Sequence, residues 1–167
     1  LLPLGVLATS FPSPPLIPKI EVVAMHEKIE IIWDANSENS IDLLTGYSDF
    51  EGYRIYRSTD GGVTWGDESD KIYDYDQNFV GWKPYAQFDL ISDLDSTHCV
   101  YANEYYDDNT MPCDIRGLNV QGYDPIAAWI NIGDNSGIKR SFIDENVLDG
   151  VEYTYVVTAY DMGMVSF

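Results

Sequence analysis

Hydrophobic and polar positions alternate with a period of two along much of this chain. Over residues 151–160, Val151, Tyr153, Tyr155, Val157 and Ala159 fall on one side and Glu152, Thr154, Val156, Thr158 and Tyr160 on the other. Such alternation in β-branched and aromatic residues marks a half-buried strand. Over 28–33, Ile29, Ile31 and Trp33 share a face; over 50–58, Tyr53 and Ile55 point one way and Arg54 and Tyr56 the other. Residues 19–25 and 139–143 read as further strands. Thr59-Asp60-Gly61-Gly62 and Leu148-Asp149-Gly150 are turn signals. The first of them predicts a return strand starting at 63–65. No long stretch carries a helical period, so the expected fold class is all-β.

Several of these stretches carry more than a period. Val147-Leu148-Asp149-Gly150 leads into Tyr153, Tyr155, Val157 and Ala159; Trp33 is followed by Asp34; and Gly52-Tyr53-Arg54-Ile55-Tyr56-Arg57 forms the middle strand. Together they resemble a fibronectin type III domain. The resemblance implies an immunoglobulin-like β-sandwich with a core on Trp33, Tyr53, Ile55, Tyr153, Tyr155 and Val157. It also implies a tyrosine corner in which the Tyr153 hydroxyl reaches back to backbone before the turn. It covers 19–65 and 139–161. Ordinary modules of this kind run to about 100 residues, and here the pattern breaks off over about 66–140, a long loop- and strand-rich insertion. Within it, 83–90 and 127–132 are the best strand candidates. Loops of such length are usually functional.

The chain divides into an apolar N-terminal segment with a proline-rich linker, 1–18, and a sandwich over 19–167. Pro12, Pro14, Pro15 and Pro18 favour extended geometry and a semi-rigid spacer. After the strand at 151–160, residues 164–167 offer only a short or missing last strand. An open sheet edge invites pairing with another chain. Residues 1–8, apolar throughout, are a candidate donor of a strand to a neighbouring copy, against the plain alternatives that they pack on their own domain or form an ordered tail.

Charge narrows the partners. With 28 acidic and 9 basic residues, net −19, the chain is repelled by nucleic acid and by anionic membrane surfaces. No stretch is long and apolar enough to span a bilayer. The expected partners are other copies of the chain or neighbouring domains of a longer one.

Candidate chemistry is sparse. There is no Gly-x-Ser-x-Gly elbow, no P-loop and no His-Glu-x-x-His motif, and only 2 histidines, His26 and His98. The pairs Asp93/Asp95 and Asp107/Asp108 have the residue types of glycoside hydrolysis, but so acidic a chain places carboxylates together by chance. Cys99 and Cys113 read as a disulfide in an extracellular loop; with His98 or His26 they would still fall short of the four ligands zinc normally takes. No cofactor is expected, with calcium the one candidate ion. Asp74-x-Asp76-x-Asn78 matches the first ligand positions of an EF-hand loop, but Phe79 stands where glycine is required and Tyr85 where glutamate is. Asp34/Asn36/Glu38, Asp144/Glu145/Asn146 and Asp134/Asn135 are other acidic clusters. Trp65, Trp82 and Trp129 are candidates for stacking on sugar rings, against the plain alternative that they pack in the extra strands.

The resemblance implies a non-catalytic extracellular structural or assembly module of a surface or filament-forming protein, and the open edge adds self-association by strand addition as a candidate mode. The alternatives are a carbohydrate-binding or adhesion module and an accessory domain of a secreted hydrolase.

Overall fold

A computed structural model describes residues 14–40, 50–91 and 133–161, together with the backbone of 97–100 and 118–121. The fold is all-β and its sheets are antiparallel. One three-stranded sheet has the order β1 (Ile20–Met25), β2 (Lys28–Trp33), β9 (Ser141–Asp144); a second has the order β10 (Thr154–Asp161), β3 (Phe50–Ser58), β6 (Ala86–Asp89). Two hairpins complete the described strands: β4 (Lys71–Tyr73) with β5 (Phe79–Trp82), and β7 (Thr97–Val100) with β8 (Leu118–Gln121).

Alternation sets the core. Ile31 and Trp33 of β2, Tyr53 and Ile55 of β3, Phe88 of β6, and Tyr155 and Val157 of β10 are buried together with Phe50. Trp33 meets Tyr53 edge to face at 5.5 Å between ring centroids, and Phe88 at 6.2 Å. Phe142 of β9 lies 6.1 Å from Phe88. The three-stranded sheets therefore share one core, with β2 over β3 and β9 over β6. Tyr153 is half-buried and packs against the cluster. Its hydroxyl accepts the Leu148 N–H at 3.1 Å, tying the start of β10 to the turn before it.

Several expected boundaries move. Residues 63–65 form no strand. The Asp60 carboxylate accepts the N–H groups of Val63 (3.1 Å) and Thr64 (2.9 Å), which takes them from any ladder. The strand expected from 151 begins at Thr154, because its partner β3 ends at Ser58, the residue opposite; Val151 is left exposed. The strand expected over 83–90 shortens to Ala86–Asp89. In the lead-in, Pro15 and Pro18 are buried. Leu16 N–H donates to Ser40 Oγ at 2.7 Å and Ser37 Oγ–H to the Leu16 carbonyl at 2.5 Å. Residues 14–18 are thus docked on the domain and do not act as a spacer.

Candidate functional site

The two sides of the core differ. Because β9 covers β6 and β2 covers β3, β1 extends to the β10 side. In the β1–β2 pairing, Ile20 stands opposite Trp33, Val22 opposite Ile31 and Ala24 opposite Ile29. Partners directly opposite point to the same face, so these three residues face the interior. Yet Ile20 is 42% and Val22 47% exposed. Below them, over residues 154–159, the outer edge of β10 pairs with no other described strand. A hydrogen-bonding edge thus lies beside an uncovered apolar strand, a geometry suited to receiving one further strand.

The opposite end is closed by charge. Asp144 at the end of β9 has a fully buried side chain and meets the Arg57 guanidinium at 2.9 Å. It also accepts Tyr155 Oη–H at 2.8 Å, Tyr85 Oη–H at 3.0 Å and the Asn146 N–H at 2.9 Å. Burial pushes this carboxyl up, but those donors outweigh it and hold it below its ordinary range. Arg57 further donates to the Asn146 carbonyl at 2.9 Å. Burial, then the Asp144 acceptor, pushes the Tyr155 hydroxyl far above its usual value. At the far end of β3, Tyr53 Oη–H donates to Glu38 (3.1 Å) and to the Asp34 carbonyl (3.3 Å). Glu38 is clasped by Arg140 through bonds of 2.8 and 2.6 Å, and this pairing lowers its pKa.

A cleft of about 530 Å³ opens between the loop after β3 and the segment joining β5 to β6. Trp65, Pro84 and Tyr85 give it apolar surface, and Asp67, Asp70 and Lys83 give it polar groups. Each wall is held by its own bonds. Asp60 accepts Ser58 Oγ–H at 2.6 Å and Thr64 Oγ1–H at 2.8 Å besides the two backbone donors. The Ser58 bond first, then those of Thr64 and Val63, lower its pKa to about 2. Asp67 Oδ1 accepts the Ser69 N–H at 2.8 Å, and Asp70 Oδ2 accepts the Asp67 N–H at 2.9 Å, the reciprocal pattern of a capping box. Lys83 N–H donates to the Asp70 carbonyl at 2.7 Å and its Nζ to Ser69 O at 2.8 Å. The Arg57 guanidinium lies 4.1 Å over the Tyr85 ring.

The residues singled out in the sequence fall in different places. Trp33, Tyr53, Ile55, Tyr155 and Val157 are buried in the common core. Asp74, Asp76 and Asn78 sit in the β4–β5 turn, where Asp74 Oδ1 accepts the N–H groups of Asp76 (2.9 Å) and Asn78 (2.8 Å). The turn closes on its own carboxylate. Among the described residues no group of three or more His, Cys, Asp and Glu is placed to hold a metal ion. Trp65 lines the cleft. Trp82 is half-buried in the β4–β5 hairpin, 5.4 Å from the Phe79 ring. Trp129, Cys113, Asp93, Asp95, Asp107, Asp108 and the strand expected at 127–132 lie outside the described residues, as do the side chains of Cys99 and His98 and hence the expected disulfide. His26 is at the β1–β2 turn, 2.5 Å from Asp149.

Sequence reading did not single out Arg57, Asp144, Lys83 or Tyr85 as a group. One signal was there: Arg57 continues the inward register of Tyr53 and Ile55, and an arginine in apolar register calls for a buried acid. Comparison with known proteins returns no matching family model, curated protein or solved structure.

Proposed function

We propose that this chain is a non-catalytic structural module of the fibronectin type III kind, working outside the cell, and that it assembles by accepting a strand from another copy. The observation that carries this reading is the uncovered inward face of β1 beside the edge of β10 at 154–159, which pairs with no other described strand. Supporting the fold assignment are the facing orders β1-β2-β9 and β10-β3-β6 and the Tyr153–Leu148 contact. The donor would be residues 1–8 of the second copy. They carry no charge, so they can approach a surface whose overall charge of −19 repels acidic segments. Main-chain bonds would supply affinity, and Ile20 and Val22 the apolar contact.

Analytical ultracentrifugation of the full chain and of a form lacking residues 1–12 tests this. The full chain is expected to self-associate and the truncated one to be monomeric. A full chain that stays monomeric at high concentration, or association unchanged by the truncation, overturns it.

A further inference from the structure

We propose that the cleft between the 58–67 loop and residues 83–85 binds a neutral saccharide. Three properties of its walls lead there. The first is size: about 530 Å³ lies within the usual range of ligand sites, roughly 300–1,000 Å³, and suits a short oligosaccharide.

The second is chemistry. Trp65, Pro84 and Tyr85 present flat apolar surfaces of the sort that take the C–H face of a sugar ring. Around them, hydrogen-bonding capacity is left over. Asp67 spends Oδ1 on Ser69, and Asp70 spends Oδ2 on the Asp67 N–H. Lys83 Nζ uses one of its three N–H groups on Ser69 O. The remaining acceptors and donors match the paired donor–acceptor character of vicinal hydroxyls. The walls carry both signs of charge, and the chain as a whole is strongly acidic. An anionic ligand is therefore disfavoured, and Lys83 and Arg57 oppose a cationic one.

The third is rigidity. Asp60 gathers backbone and hydroxyl donors from Ser58, Val63 and Thr64, which sets the path that delivers Trp65. Gly62, at φ +89°, lies under the indole, where an added Cβ would stand 3.4 Å from its Cζ2. The capping box fixes Asp67 and Asp70 in turn. A wall ordered before binding costs little to order on binding. Sequence alone ranked Trp65 with Trp82 and Trp129 without choosing among them; the cleft separates Trp65 from Trp82, whose ring lies in the hairpin aromatic cluster.

The test is a titration of the full chain with cellohexaose, laminarihexaose, mannohexaose, xylohexaose and chitohexaose, followed by tryptophan fluorescence and calorimetry. At least one is expected to bind and to shift the emission. Trp65→Ala is expected to weaken binding at least tenfold, and Asp67→Asn, which keeps the cap, several-fold. Trp82→Ala should retain the affinity. Thermal melts of each variant separate lost binding from lost fold. Removing residues 1–12 takes away no lining residue and should leave the titration unchanged, so this proposal and strand addition fail separately. No binding of any of the five at millimolar concentration would overturn it. So would binding that survives Trp65→Ala and disappears with Trp82→Ala.

Discussion

The β6–β9 side of this core and its β1–β10 side are built from the same kind of alternating strand, yet they meet water differently. On the first, the Asp144 side chain is 0% exposed and is held by Arg57, Tyr85, Tyr155 and Asn146. On the second, apolar side chains in the inward register remain in solvent. Burying a paired ion costs desolvation that only good geometry recovers, whereas exposing Val and Ile forgoes a gain available from any apolar neighbour. The first side encloses its acid, although β6 and β9 are sheet edges as β1 and β10 are. The second leaves apolar surface beside a strand edge that, over 154–159, pairs with no other described strand.

Several experiments would break or sharpen that contrast. Asp144→Ala strands the Arg57 guanidinium and the hydroxyls of Tyr85 and Tyr155, and should lower stability by about 3–5 kcal/mol in urea melts; an unchanged midpoint would show that the closed end is not anchored by charge. Gly52→Ala should cost about 1–3 kcal/mol, since a Cβ there would stand 2.4 Å from the Phe88 carbonyl oxygen and force β6 away from β3. Tyr153→Phe, which removes the acceptor for the Leu148 N–H, should cost about 1 kcal/mol.

Acid offers a milder probe of the cleft loop. Asp60 is held at about 2 against an ordinary 3.8. A lowered folded pKa means a contribution present above the ordinary value and lost as pH falls toward the folded one. Amide exchange at Val63 and Thr64 should therefore accelerate as pH drops from about 3.8 to about 2, after correction for intrinsic rates. Asp60→Asn should flatten that response. Smallest in stability is Val22→Ser, expected within about 0.5 kcal/mol for the monomer although it should weaken self-association. A large loss of monomer stability would mean that β1 is already covered.

Where local chemistry dictated structure, the sequence was legible. Strict alternation located β2, β3 and β10 and the inward residues Trp33, Tyr53, Ile55, Tyr155 and Val157, because a one-residue slip would turn every one of them outward. The β4–β5 hairpin was not foreseen. Asp74, Asp76 and Asn78 carry the same oxygens whether they grip a cation or a backbone N–H, and composition alone does not tell the two uses apart. The strand expected at 63–65 failed for a related reason: one carboxylate, Asp60, outcompetes the ladder for two amide donors. The cleft was illegible as a unit. Its walls come from three separate segments around Arg57, Trp65 and Lys83, joined only when β3 and β6 pair.

The docked prolines at 14–18 have a mechanical meaning. A pull from the N-terminal side would not reach β1 first. It would load the bonds from Leu16 to Ser37 and Ser40 and from the Lys19 N–H to Asp34, which together act as a latch ahead of the first strand. Tension below the strength of that latch would leave β1 on its sheet.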